Sequence, residues 1–339
     1  MPTSLRSRRV ALIGLGMAVN KHVLALRELA DRAEIVAGWS PSLARRQGFA
    51  ARYGLPVVDS LDAIFDDATI DLIFILSPPW SHLELTARCA KVGKHVLLEK
   101  PVEATLQRAE QLVKLCHTIG IKLAVVFQNR FRSPHLRLRA LLAEGRLGRP
   151  ISTSLTMRWW RPDSYFAEGD RGMMSRDGGG VLLSQAIHSM DQLVDLFGVP
   201  TEVCGFHATS PLRQIDTEDV VAGALRWSNG AIGTLDATTT SFPTMPERID
   251  IAAEHGSATL ERTRLRVWLR HGTTIDEQED AALPAVTGDY LAHRRLIADL
   301  LDALDDDRQP SCSGESALGV HRLIDALMRP GASVDAQPV

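Results

Sequence analysis

An α/β chain of two domains is predicted: a doubly wound parallel sheet, then an α+β domain built on an open, mostly antiparallel sheet. Three observations carry this expectation. The first ~125 residues alternate short apolar runs with amphipathic stretches, the mark of βαβ units. A glycine turn, Gly14-Leu15-Gly16, follows the first of those runs. From Ile151 onward the runs become β-branched and alternating.

The elements follow in order. Val10–Ile13, Ile35–Trp39, Leu72–Leu76, Val96–Leu98 and Leu123–Phe127 are nearly all apolar, as strands covered on both faces require. Between the last two, Leu106, Ala109, Leu112, Val113, Cys116 and Ile119 keep helical spacing, with Thr105 as cap and Gly120 as stop. Ile151–Trp160, Glu202–Thr209, Asp219–Trp227, Ala231–Thr239, Arg248–Ala253 and Leu265–Leu269 read as the second sheet. Ser228-Asn229-Gly230 predicts a type I′ hairpin between two of them. Residues 290–305 and 315–328 return to helical periodicity. The domain boundary is expected near residue 127, giving domains 1–127 and 128–339, the latter including both C-terminal helices.

Composition excludes several classes. At 339 residues and 45% hydrophobic content the chain is long and apolar enough for two full cores. Lys+Arg 38 against Asp+Glu 41 leaves a net charge of -3, so neither nucleic acid nor an anionic membrane is an expected partner. Cys89, Cys116, Cys204 and Cys312 are far apart and unpaired by spacing, as in a reduced cytoplasmic protein. No metal site is expected. Ser7-Arg8-Arg9 before an apolar run imitates a twin-arginine signal. Gly14 and Gly16 break that run, however, and no small-residue cleavage site closes it, so the cytoplasmic reading stands.

The chemistry-bearing motifs are few. Gly14, Gly16, Met17 and Ala18 sit between a strand and a helix, the context of a dinucleotide phosphate turn. Val19 holds the third position of the GxGxxG pattern, so close helix–strand packing there relies on Ala18. The second strand ends in Trp39-Ser40-Pro41-Ser42 with Arg45 and Arg46 beyond. No carboxylate stands there to bind an NAD ribose, whereas Ser40, Ser42 and Arg45 suit the 2′-phosphate of NADP. Lys100, between Glu99 and Pro101, falls at the carboxyl end of a buried strand, where open parallel sheets hold ligands. His188 follows the triple glycine Gly178-Gly179-Gly180 on an apolar helix, with Asp191 at i+3. An ammonium and an imidazole over a nicotinamide would handle the charge and the proton of an alcohol oxygen.

The ordered set Gly14-x-Gly16, Ser77-Pro78-Pro79-x-x-His82, Glu99-Lys100-Pro101, Gln128-Asn129-Arg130 and GGG…His188-x-x-Asp191 resembles the Gfo/Idh/MocA oxidoreductases over nearly the whole chain. That resemblance implies a Rossmann domain followed by an α/β domain whose open sheet serves oligomerisation, and an enzyme acting on sugars, inositols or nucleotide sugars with NAD(H) or NADP(H). It implies Lys100 and His188 as the catalytic pair, with Ser77, Pro78, His82 and Glu99 on the cofactor side. Trp159-x-Arg161-Pro162, Tyr165 and Arg171-Gly172 are similar to the branch containing UDP-N-acetylglucosaminuronate 3-dehydrogenases. Two departures stand out: Ser184 where that family carries Asp or Asn, and Asp170 where the branch carries Trp.

The resulting expectation is hydride transfer at a carbinol carbon, His188 moving the proton and Lys100 stabilising the oxyanion. Asn129, Arg130, Arg161, Tyr165, Ser184 and Gln185 are the candidates for holding a sugar-like substrate. NADP(H) is the favoured cofactor, with NAD(H) open. Alternatives from the same resemblance are a cofactor-dependent glycosidase and a non-catalytic ligand sensor like the galactose-regulon repressor of yeasts; retention of both Lys100 and His188 argues against the sensor. A homodimer or homotetramer is expected through the open sheet face, with Thr234 and Thr238 on it.

Overall fold

The computed structural model describes residues 7–167, 169, 171–279 and 290–329. Asp170 therefore lies outside the described residues. Strands β1 (Arg8–Ile13), β2 (Ala33–Trp39), β3 (Leu72–Ile75), β4 (His95–Leu98) and β5 (Leu123–Val125) form one sheet in the order β2-β1-β3-β4-β5, every pair parallel. Parallel neighbours need long crossovers. Helices α1 (Val19–Glu28), α2 (Leu43–Tyr53), α3 (His82–Lys91) and α4 (Leu106–Ile119) supply them. Each of Val10 to Ile13 and Leu72 to Ile75 is fully buried, contributing about 1.5–3 kcal/mol for each large side chain. Thr105 caps α4 and Gly120 ends it at φ +83°, as its sequence predicts.

The chain leaves β1 for one edge and returns to its other side at β3, so the strand order reverses between them. That switch opens a crevice beyond the carboxyl ends of β1 and β3. Gly14 and Ser77 follow those two ends.

The second sheet has eight strands in the order β13-β12-β11-β10-β6-β9-β8-β7. They are β6 (Pro150–Arg158), β7 (Glu202–Ala208), β8 (Val220–Arg226), β9 (Ile232–Thr238), β10 (Arg248–Ala253), β11 (Gly256–Glu261), β12 (Arg264–Leu269) and β13 (Thr274–Gln278). All neighbours are antiparallel except β6 and β9. Helix α5 (Ser133–Ala143) packs against β11 and β12, and α6 (Ile187–Phe197) against β6 and β10. Strands β11 and β13 escape sequence detection. β13 reads Thr-Ile-Asp-Glu-Gln, an edge strand exposed at nearly every position, and only its register with β12 makes it a strand.

One turn differs from expectation. Gly230 has φ +85°, but Asn229 is not left-handed, and a type I′ turn needs both. Gly230 N–H donates to Trp227 C=O at 3.0 Å and Ala231 N–H to Asn229 Oδ1 at 3.0 Å. The loop is a type I turn closed by a left-handed glycine, which the asparagine side chain stabilises without adopting positive φ.

The domain partition also departs from the boundary at 127. Residues 7–131 form one compact unit together with 290–318; residues 132–279 and 319–329 form the other. Helix α7 (Leu291–Asp305), placed by sequence in the second domain, packs on α1 and on the turn Gln128–Phe131. Arg294 pairs with Glu28 at 2.9 Å and Arg8 with Asp305 at 2.9 Å. An amphipathic pattern shows that a helix has a buried face but not which sheet buries it.

Within the last helix, α8 (Gly314–Met328), His321 is 3% exposed, and burial pushes its imidazole pKa down to about 4 from 6.5. The unfolded chain takes up this proton first, so the site costs nothing above pH 6.5 and progressively more as pH falls towards 4. The cost at pH 4 is about 3 kcal/mol. Urea unfolding from pH 7.5 to 4.5 is expected to lose stability with a slope that His321→Gln reduces; an identical slope in both proteins refutes this assignment.

Candidate active site

In the first unit, Gly14 has φ +101°, and a Cβ there would lie 2.6 Å from the Leu76 carbonyl carbon and 2.8 Å from Ser77 N. Only glycine allows the two switch-point loops to approach so closely. Gly16 is the opposite case: an added Cβ meets nothing within 4 Å. Helix α1 starts at Val19 with no side-chain cap and no acidic residue in its first turn. Uncapped N–H groups beside an open glycine fit a pyrophosphate. Met17, on the same turn, is 77% exposed, whereas Ala18 is only partly so.

At the end of β2, Ser40 is buried and its hydroxyl accepts from Ser42 N–H at 3.4 Å. Ser42 Oγ caps α2 by accepting from Arg45 N–H at 3.3 Å. Arg46 donates to Ser40 C=O at 2.7 Å and meets Asp59 at 3.3 Å. The exposed cation is Arg45, which lines a cleft of about 260 Å3 together with Gly16 and Met17. Of the three residues expected at a 2′-phosphate, Arg45 is thus the one presented; the two serines hold the local backbone.

Ser77 and Ser81 share a hydroxyl–hydroxyl bond of 2.7 Å, Ser81 Oγ also donating to Pro78 C=O at 2.8 Å. His82 is fully buried. Its Nε2 faces Ser77 C=O at 2.9 Å, and its Nδ1 faces Pro101 C=O at 3.0 Å and Val102 C=O at 3.2 Å. Burial holds its pKa below the usual value, against the pull of those carbonyls. The ring bolts the loop after β3 to the turn after Lys100 rather than presenting itself to a ligand.

Glu99 is largely buried. Its Oε1 meets His22 Nε2 at 3.2 Å and its Oε2 accepts from Lys100 N–H at 3.0 Å. Burial favours the acid form, but the His22 hydrogen bond and the charges of His22 and Lys100 outweigh it and hold the pKa below the carboxylate norm. His293 of α7 packs its ring edge-on to His22 at 5.3 Å, and ligand-type atoms of His22, Glu99 and His293 all lie within 4.8 Å of one another. These three are 77 residues or more apart in sequence, and no local signal joins them. The His22–Glu99 and Glu99–Lys100 bonds fix the main chain at Lys100, which is itself partly exposed. Gln128, Asn129 and Arg130 form a buried turn after β5. Arg130 reaches Ser316 at 3.4 Å, so this predicted substrate arginine braces α8.

In the second unit, the segment Val181–Val194 is buried at every position except Ser184 and His188. Those two stand four residues apart, forming one narrow, partly accessible stripe on an otherwise packed segment. Before α6 the backbone makes a π-turn over Leu182–Ala186, and Ser184 Oγ donates to Gly180 C=O at 2.6 Å. Asp191 is fully buried.

Nearby, Arg161 Nε donates to Gln185 Oε1 at 2.8 Å, and Gln185 Nε2 donates to Tyr165 OH at 3.1 Å. The Arg161 and Arg171 guanidiniums lie 5.0 and 4.5 Å from the Tyr165 ring centre. Three predicted substrate residues are therefore joined in one network, to which Arg171 is added. Sequence reasoning missed Arg213, which forms a buried ion pair with Asp219 at 3.0 Å and donates to Arg161 C=O. It also missed Glu218, buried against Gly180 and Leu182.

A parallel sheet with a glycine turn at its switch point, in one chain with an α+β domain that keeps a half-buried histidine on a packed helix, is the architecture of a dinucleotide-dependent oxidoreductase. The chain belongs to the Gfo/Idh/MocA family. The model of the oxidoreductase family's NAD-binding Rossmann fold matches residues 8–127, and that of the GFO/IDH/MocA C-terminal domain matches residues 135–259. The chain is 27% identical to a 1,5-anhydro-D-fructose reductase of Ensifer adhaerens over 91% of its length and 92% of the relative's. It is 25% identical to an NADP(+) scyllo-inositol 2-dehydrogenase of Bacillus subtilis, over 80% of each. The WlbA dehydrogenase of Bordetella pertussis, solved with NADH and UDP-GlcNAcA, superposes with a TM-score of 0.83 at 27% identity, covering 96% of both chains.

Proposed function

We propose that this enzyme transfers hydride between NADP(H), in preference to NAD(H), and a carbinol or keto carbon of an anionic sugar or nucleotide sugar. The accessible Ser184–His188 stripe carries the reading. A histidine kept for packing would be buried like its neighbours, whereas this one and the serine one turn before it are the two left open between Val181 and Val194. A dinucleotide bound on the Gly14 turn supplies the hydride acceptor or donor. His188 takes the hydroxyl proton in oxidation and returns it in reduction, and the Lys100 ammonium stabilises the oxygen as it gains charge. Arg161 and Arg171, flanking Tyr165, support a carboxylate or phosphate on the substrate. The relatives acting on 1,5-anhydro-D-fructose and scyllo-inositol, and the neighbour solved with UDP-GlcNAcA, support the sugar class.

The test is turnover of 1,5-anhydro-D-fructose, scyllo-inositol and UDP-GlcNAcA, followed by nicotinamide absorbance. Stoichiometric conversion with at least one is expected, fastest with the charged one. Cofactor that stays bound while a glycoside is cleaved without net oxidation would instead assign a glycosidase.

Arg45 decides the cofactor. NADPH is expected to bind more tightly than NADH in a fluorescence titration, and Arg45→Ala to weaken NADPH by about tenfold while sparing NADH, the scale of one exposed charge-assisted contact. Equal affinities in the unmodified protein sink the NADP preference.

For assembly, we propose a homodimer or homotetramer through the second sheet. Ile151, Phe206, Ile232 and Trp268 are each more than 40% exposed, and Thr234 is exposed beside Ile232, whereas Thr238, expected on the open face, is buried and donates its hydroxyl to Asp219 C=O at 2.9 Å. Light scattering at micromolar concentration is expected to give an oligomer that Ile232→Lys weakens. A monomer would remove this proposal.

A further inference from the structure

Glu218, on the residue pair preceding β8, engages three consecutive backbone donors. Its Oε2 accepts from Gly180 N–H at 2.9 Å, its main-chain carbonyl from Val181 N–H at 2.8 Å, and its Oε1 from Leu182 N–H at 3.1 Å. These are N–H groups that open the helical segment carrying His188, and the start of a helix ordinarily leaves such donors without partners. The fit is close: a Cβ on Gly180 would fall 1.8 Å from the Glu218 carbonyl oxygen. The flanking residues are tied as firmly. Thr217 Oγ1 donates to Gly172 C=O at 2.7 Å, and Asp219 takes Arg213 at 3.0 Å and Ser210 Oγ at 2.7 Å. Thr217, Glu218 and Asp219 are all buried, and burial raises the Glu218 pKa.

What lies between this clamp and His188 gives it meaning. The π-turn over Leu182–Ala186 adds one residue to the helix, and such turns are marginal on their own. Collapse of that turn to α-geometry would shift the following residues by one position, a rotation of roughly 100°. His188 would then leave the accessible stripe.

We propose that Glu218 is a positioning residue for His188: by clamping Gly180 to Leu182 it fixes the register of the π-turn, and so the direction in which the imidazole points. This rests on the reading of His188 as the proton-transfer group. Glu218 acts from two turns away through the main chain, both of its carboxylate oxygens being taken by backbone N–H groups of Gly180 and Leu182.

Glu218→Gln keeps the shape but replaces one acceptor oxygen with an NH2 group that confronts a backbone N–H. Two measurements on the full-length protein test the idea. The first needs no substrate: the rate at which diethylpyrocarbonate modifies each histidine in the native protein, read by peptide mass spectrometry. The His188 rate is expected to change threefold or more in Glu218→Gln, while those of the exposed His117 and His255, neither of them a charge partner of Glu218, stay constant. The second is a double-mutant cycle on kcat, using whichever compound of the panel above turns over fastest. Glu218→Gln is expected to lower kcat about tenfold, with cofactor Kd within twofold of the parent, and to add no further loss in a His188→Ala background. Glu218→Asp, which keeps the charge, is expected to fall between parent and Gln, and serves if the Gln variant does not fold. Leu225→Ala, buried in β8 away from the clamp, controls for lost stability alone and is expected to leave the His188 rate unchanged. An unchanged His188 rate, or losses of kcat that add across the cycle, overturns the proposal. Full activity in His188→Ala refutes the proton-transfer reading instead, and the labelling rates still report whether Glu218 holds the turn.

Discussion

Lys100→Met and His188→Ala are each expected to lower kcat by on the order of 10²-fold or more, the usual scale for a lost oxyanion or acid–base group. Dinucleotide affinity is expected to stay within a few-fold of the parent. Lys100 follows β4, and its position is maintained by the Glu99 carboxylate on its own N–H and by His22 behind that carboxylate. The methionine variant keeps the length and the backbone bond while removing the charge. His188 sits among buried neighbours that hold the helix without it, so truncation removes the imidazole and little packing. Steady-state kinetics with parallel cofactor titrations check both. Near-full activity of His188→Ala on a turned-over substrate would make this helix structural and send the proton elsewhere.

The next largest effect belongs to Gly14. Gly14→Ala forces an L-residue to φ +101° and drives its Cβ to 2.6–2.8 Å from the backbone of Leu76 and Ser77. Left-handed geometry alone costs about 1–2 kcal/mol, and backbone cannot retreat as a side chain would. We expect a loss of roughly 3 kcal/mol or more in stability and at least tenfold weaker dinucleotide binding. Gly16→Ala is the informative contrast. Its Cβ enters open space, so the fold is expected to keep its Tm while the dinucleotide weakens, the outcome required if that space admits the pyrophosphate as proposed. Differential scanning fluorimetry with and without NADPH separates the two. Parent-like binding in Gly14→Ala would show that the turn is not the phosphate site.

The residues differ in how far their roles could be read in advance. The strands of the parallel sheet, the capped helix from Thr105 to Gly120 and the glycine turn are written in neighbours within a few positions. Periodicity and backbone restriction are local properties, and local physics fixes them. The relation of Ser184 to His188 is of the same kind, since four residues make about one helical turn.

Tertiary structure decided what distant partners decide. His82 reads as a ligand contact until three carbonyls, two of them about 20 residues away, are seen to enclose its ring. Arg130 reads from sequence as a substrate residue alone, and only the fold shows that its guanidinium also reaches Ser316, 186 positions on. Residues 290–318 look like part of the second domain until α1 supplies their packing surface. Glu218 is invisible as a helix clamp in a sequence where Gly180 lies 38 residues before it. In each case the outcome depends on which groups must share a buried space. A buried donor or charge takes whatever partner the fold brings within reach, because leaving it without one costs more than any local preference can return.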